Sequence, residues 1–368
     1  MMDKQNQKGG DGSTNIQADK IILQTGIDEK RAREVFQEMN LQLRKDYTRE
    51  ALEIAESRVA EFENSLMPKM ESVEGALQAF SDPSFQILLV EAQKTAASTE
   101  RPADYELLSE LLVHRFKKGE NRITRAGVSV AVDIIDKISD EALLGLTVTH
   151  AVNNFSPTSG ELYGGLDTLN ALFGKIFYGP LPTGYEWLDH LEILNTVRLS
   201  SFATMKKTND YYPNLLAGYV DVGIEKDSEV HATAIKELES CNLPAALLSE
   251  HSLNNKYVRI PVVNKGSISR LTLQRTIPLN DSSITIPVML TDEQKAVLES
   301  IYDMYSNDQA IRQNNINLFM DEWNKRDNLR VLREWWDAIP TSLTITSAGR
   351  VLAHSNAQRC DNKLPQLD

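Results

Sequence analysis

At 368 residues, with 41% hydrophobic and 25% charged side chains, the chain has an ordinary globular composition and exceeds the size of one comfortable core, so two or three domains are expected. Its 52 acidic and 39 basic residues give a net charge of −13. That field opposes phosphate backbones and anionic lipid, which disfavours dedicated nucleic-acid binding except through a local basic patch.

No apolar run approaches the ~18 residues needed to span a bilayer. The longest, 128–135 and 142–152, are interrupted by Asp133 and His150. The first residues are polar and Gly-rich and lack a signal-peptide apolar core. Cys241 and Cys360 are too few and too isolated for a disulfide framework or a zinc site. A cytoplasmic protein without membrane contact is expected.

Residues 1–27 read as a flexible arm carrying a short strand. Gly9, Gly10, Gly12 and Asn15 permit backbone angles that a helix cannot use, and Ile16, Ile21, Ile22 and Leu23 give the segment something to bury. A strand with no neighbour in sequence pairs most economically with a copy of itself on another chain. Asn15, Ile16, Gln17, Ile21, Ile22 and Leu23 are therefore the candidate oligomerisation residues.

Residues 28–67 show one apolar stripe, through Val35, Met39, Leu43, Tyr47, Ala51, Ile54, Val59, Phe62 and Leu66, with no Gly or Pro before Pro68. An unbroken helix would reach roughly 60 Å and would need a partner, either within the chain or on another subunit. Helices are expected at 72–80, 84–99, 104–118, 125–138 (capped by Thr124) and 139–153 (opened by Ser139), followed by a loop at 153–160. Further helices are read at 166–177, 185–205, 228–240 and 243–249. The pattern then alternates apolar and polar residues over 257–263, 268–278 and 284–288, a three-stranded meander signature. Pro261, Pro278 and Pro287 place these strands at edges or at their own ends. Thr291 caps a helix over 292–306, helices follow at 308–325 and 328–339, and a strand over 342–345 leads into a helix over 347–359. That last strand-to-helix step is similar to the ending of some winged-helix modules. Nine basic against twelve acidic residues from Thr291 onward give it no basic face, so a protein contact is expected there rather than DNA reading.

The fold class that follows is mainly α: a multi-helix body, a short N-terminal β arm and a small antiparallel β meander in a C-terminal α+β part. The expected division is 1–27, 28–155, 156–254 and 255–368.

Motifs that would announce chemistry are missing. The chain has no Gly-rich nucleotide loop, no zinc-protease helix, no nucleophile elbow and no paired-cysteine motif. The six histidines, at 114, 150, 190, 231, 251 and 354, show no close ligand spacing. Asp189 and His190 point about 100° apart on a helix, so the carboxylate cannot orient that imidazole. His150, on an apolar helix, reads as a hydrogen-bonded core histidine. No catalytic residue, metal site or cofactor is expected. The strongest positive segment is 115–125, in which Arg115, Lys117, Lys118, Arg122 and Arg125 face one acid, Glu120, across a helix end and the next helix start. It is the candidate contact for an anion or nucleic acid.

The 9–17 arm, Leu111 to Arg115, Gly145 to Val148 and Ala353 to Arg359 together resemble an uncharacterised bacterial family of mainly helical conserved hypothetical proteins. The resemblance covers most of the chain and implies no reaction. The arm by itself also resembles short sequences at the front of bacterial signalling and phage-defence proteins. More distantly it is similar to an amyloid-forming homotypic motif with an Ile-Gln-aliphatic-Gly core. Ile16 and Gln17 match that core, whereas Ala18 and Asp19 depart from it. Stacked copies would align Asp19 carboxylates at the ~4.8 Å strand spacing, so a finite homo-oligomer is expected rather than a fibre.

The expected function is that of a non-enzymatic, self-associating interaction or scaffold protein whose protein partner is not specified, and the resemblance implies a setting in bacterial stress or phage-defence signalling. The alternatives are a nucleic-acid- or nucleotide-responsive regulator using 115–125 and an enzyme of unrecognised type.

Overall fold

The stripe over 28–67 is divided between two helices in the computed structural model, which describes residues 27–40, 47–118, 121–200, 202–279 and 282–367. Helix α1 is Glu29–Asn40 and α2 is Arg49–Glu71. Arg33 reaches Glu63 and Glu71, and Gln37 donates to Glu63, so rising numbers on α1 meet falling numbers on α2 and the two run antiparallel. Phe36 lies 5.8 Å from Phe62 between ring centroids, and Ala32, Val35, Ala55, Val59 and Leu66 are buried with them. The stripe thus finds its partner inside the chain. It no longer argues for a second subunit, and the single 60 Å helix is corrected. The arm, with Asn15, Ile16, Gln17, Ile21, Ile22 and Leu23, lies outside the described residues.

Helices α3 (Pro83–Ser98), α4 (Pro102–Lys118), α5 (Arg122–Ile134) and α6 (Asp140–Asn154) follow. Their starts are chemical. The Asp82 carboxylate accepts from the amides of Ser84 and Phe85 with Pro83 in the first turn, and Ser139 accepts from Ala142. Helix α5 begins three residues before the expected start because Asn121, not Thr124, is its cap, accepting from Ile123 at 2.8 Å. Around these helices packs α15, Ser347–Cys360, capped by Thr346 and buried from Val351 through Gln358. It rests against α4, α5 and α6. Helix α7 is Leu162–Ile176 and α8 is Glu186–Ile193.

The helix expected over 185–205 stops at Ile193. Asn195 takes a left-handed conformation (φ 55°), the Thr196 hydroxyl turns back to Leu191 O, and Val197–Ser200 continues as strand β1. Downstream come α9 (Thr208–Leu215), α10 (Ala217–Val220), β2 (Ile224–Glu225), α11 (Glu229–Ser240), β3 (Ser249–Glu250), β4 (Tyr257–Arg259), β5 (Thr272–Leu279) and β6 (Ser282–Met289). They are followed by α12 (Asp292–Asp303), α13 (Gln309–Asn324), α14 (Asp327–Ala338) and β7 (Ser342–Ile345). Strand β1 pairs antiparallel with β7, Val197 opposite Ile345. Three indoles lock this half of the body through backbone acceptors: Trp323 to Leu329 O, Trp335 to Pro182 O and Trp336 to Lys206 O.

A second, smaller core gathers Ile224, Ala234, Leu238, Val258, Ile260, Leu298 and Tyr305 under α11, α12 and the sheet β2-β4-β3. The chain leaves the large core near Val220, touches it again at Val263 and rejoins it at Phe319. The strands expected over 257–288 are antiparallel but belong to two sheets, not one meander. β4 pairs with β2 and β3, a capped 3₁₀ turn occupies Lys265–Arg270, and β5 pairs with β6 alone. Among the described residues no helix is long and apolar enough to cross a membrane.

Candidate functional site

The β5–β6 ribbon is the element with the least support from the rest of the fold. Each strand is eight residues long, about 26 Å at 3.3 Å per residue, and neither belongs to a larger sheet. Leu271 and Leu273 hold the base of the ribbon against the smaller core, with Leu290 buried beside them. Along β6, Ile284, Ile286 and Val288 alternate onto one face at 52%, 39% and 37% exposure. The register sets Pro278 opposite Ser283 and Pro287 opposite Gln274, which puts both prolines in the same alternating set of pairs. Proline has no N–H to give a partner strand, so this is the set whose backbone groups point outward, and each outer edge lacks a donor. Strand addition along either edge is thereby hindered, and the apolar face remains as the surface open to contact.

The five basic residues of 115–125 sit together where α4 ends and α5 begins. Arg115 donates to Ser84 Oγ at 2.9 Å, and Lys117 donates to Gln366 at 3.3 Å. Burial, and then Arg125, hold the Arg115 guanidinium below its ordinary value, with Asp82 pulling the other way. Lys118 and Arg122 are exposed, and among the described residues neither they nor Arg125 have an acidic partner. The segment is a compact cationic patch, partly engaged by its surroundings.

The histidines form no catalytic group with it. His354 donates from Nε2 to Pro365 O (2.9 Å), a carbonyl that can only accept, so its Nδ1 is the acceptor for His150 Nε2 at 3.1 Å. His150 Nδ1 then accepts from the Asn154 amide at 3.1 Å. The relay ties the last residues of the described chain into the core. Burial pushes His150 down to about 3 and the neighbouring His114 down to about 4. His190 lies apart from them: its Nε2 accepts from the Ser139 amide at the start of α6. His150, His190 and the basic segment therefore share no cleft, and no group of three or more His, Cys, Asp or Glu among the described residues could hold a metal ion. The sequence places Ile284, Ile286 and Val288 in an alternating strand and singles out none of them as a contact surface. Their alternation was visible, but it is the same on a covered face and on an open one.

A protein-family model described only as ":-like" matches residues 26–365. No curated protein and no solved structure matches the chain.

Proposed function

We propose that this chain, which belongs to the family whose model spans residues 26–365, is a non-enzymatic, self-associating interaction protein of the cytoplasm. Its β5–β6 ribbon would pack the Ile284, Ile286 and Val288 face against a second copy. The observation that carries this reading is a long two-stranded ribbon exposing aliphatic side chains, since such a ribbon is marginal in water unless something covers it. A second copy suits the surface for two reasons. Identical apolar faces complement one another about a two-fold axis. The register also sets Arg275 opposite Ile286 on this face, a cation that the negative field of a second copy of net charge −13 complements.

A ribbon face of this length, some 10 Å wide, covers about 260 Å² per copy, well short of the roughly 800 Å² per partner of a stable interface. The arm residues Asn15, Ile16, Gln17, Ile21, Ile22 and Leu23 are proposed to supply further contact. A setting in bacterial stress or phage-defence signalling rests on the resemblance of residues 9–17.

Light scattering on the full chain tests the reading. The parent is expected at twice the single-chain mass or more. The combined Ile284→Ser, Ile286→Ser and Val288→Ser variant is expected to shift toward one chain, as is a chain lacking residues 1–26. A parent at single-chain mass at every concentration removes the proposal. A second reading, a regulator responsive to nucleic acid, is favoured by Arg115, Lys117, Lys118, Arg122 and Arg125 falling at the end of α4 and the start of α5. Repeating the measurement with a short RNA at several salt concentrations separates the two.

A further inference from the structure

Between the start of α4, the start of α6, the 178–180 turn and α15 lies a cavity of about 390 Å³. Its walls are mostly aliphatic, from Leu107, Leu143, Leu144 and Pro180, a size and character suited to a small organic ligand. Among the described residues, one cation faces it. Arg359 donates from Nε to Asn356 Oδ1 at 2.9 Å, and its guanidinium carbon stands 5.3 Å from the centre of the Tyr178 ring. Asn356 is itself fixed, its amide donating to Thr147 Oγ1 (2.9 Å) and to the Tyr178 hydroxyl (3.2 Å). Thr147 in turn donates to Leu143 O at 2.7 Å. The guanidinium is thus held by its Nε and one face, while its terminal N–H fork has no carboxylate partner among the described residues. A planar fork prepared in this way matches a carboxylate.

The rim carries the opposite charge. Arg101 already engages two of its carboxylates, Asp104 at 3.0 Å and Asp140 at 2.7 Å, and also donates to the carbonyls of Ile135 and Ile138. Glu141, exposed in the first turn of α6, has no ionic partner among the described residues. One free cation and one free carboxylate therefore flank an apolar hollow. Dianionic ligands are disfavoured by Asp140 and Glu141, and a purely apolar ligand would leave the Arg359 fork desolvated and unpaired. The Tyr178 hydroxyl accepts from Asn356 and keeps its own O–H to offer a ligand oxygen.

We infer that this cavity binds a small zwitterion with an apolar body, an α-amino acid with an aliphatic side chain, whose carboxylate is taken by Arg359 and whose ammonium is taken by Glu141. The site is separate from the ribbon face. Ligand binding and chain mass are measured independently, so the failure of either proposal leaves the other standing.

Titration calorimetry on the full chain with leucine, 4-methylpentanoic acid and 3-methylbutylamine tests each half of the recognition. Leucine is expected to bind, and the two analogues, lacking the ammonium or the carboxylate, to bind at least about tenfold more weakly. Arg359→Gln and Arg359→Lys are both expected to weaken leucine at least about tenfold, because lysine keeps the charge but loses the fork. Glu141→Gln, at an exposed position where folding is not at stake, is expected to bring leucine down to the level of the carboxylic acid. The inference is overturned if leucine, isoleucine and methionine all fail to bind at millimolar concentration. It is also overturned if the acid binds as tightly as leucine, or if Glu141→Gln leaves leucine unchanged.

Discussion

Arg259 is a cation in the interior, 2% exposed, whose satisfaction comes from peptide carbonyls. Its guanidinium donates to the oxygens of Gly218 (2.8 Å), Val262 (3.2 Å) and Gly160, and lies 5.7 Å from the Tyr219 ring centre. Gly160 and Gly218 belong to the segments flanking the larger core, whereas Arg259 lies on β4, so one side chain ties the two cores together. Replacing it with Leu removes a costly buried charge but leaves four carbonyls, that of Ile260 (3.3 Å) included, without this donor, at about 1–3 kcal/mol for each one orphaned. A net loss on the order of 3 kcal/mol is expected in urea unfolding. Lys, with donors but no fork, should recover only part of it, and a Leu variant as stable as the parent would contradict the reading. Nothing in the sequence marked this residue. Arginine in an alternating stretch looks like the solvent side of a strand, and its acceptors are peptide groups, which no residue pattern advertises.

Among the elements, the best-read ones carried their own punctuation. Ser139, Ser228, Thr291 and Thr346 each cap the helix expected to follow, because the signal and the hydrogen bond it makes lie within three residues. Strand β7 fell where alternation placed it, yet its partner β1 was read as the tail of a helix. Leu188, Leu191, Leu194 and Val197 keep a helical spacing into the strand, and the competing cue, pairing with residues 342–345, comes from far along the chain. The crossing of α15 over this sheet requires Gly349. A Cβ there would come within 2.0 Å of Thr196 O, and backbone cannot yield as a flexible side chain can. Gly349→Ala is expected to cost about 2–3 kcal/mol despite its better helix propensity, read as a lowered thermal midpoint. An unchanged or raised midpoint would show that the strand gives way easily.

At the scale of the whole molecule, buried histidines set how stability responds to acid. Burial holds His114 and His251 down to about 4 and His150 to about 3, from an ordinary value of 6.5. His354 near both His114 and His150, Lys118 and Lys117 near His114, Arg350 near His150 and Arg259 near His251 push the same way. Between these values and 6.5 the unfolded chain binds protons that the native chain refuses, so stability is full above about pH 6.5 and falls as pH drops toward 4. Each group contributes at most about 1.4 kcal/mol per pH unit. Asp104, raised by burial, opposes the trend near the bottom of the window. Urea midpoints should fall steadily between about pH 7 and pH 5, and a flat profile there would show that these rings are hydrated.

The sequence by itself determined the mainly helical class, most helix starts, the want of a recognisable catalytic motif and the clustering of cations at 115–125. All of these depend on residues near one another along the chain. Only the tertiary structure decided that the long stripe folds back on itself through Phe36 and Phe62, that His150 and His354 satisfy each other, and that Arg359 meets Asn356 and Tyr178 beside a hollow. It also decided that the ribbon's aliphatic face stands uncovered. Periodicity states which side of an element is apolar. What that side meets depends on packing between residues far apart in the chain, and local patterns carry no record of it.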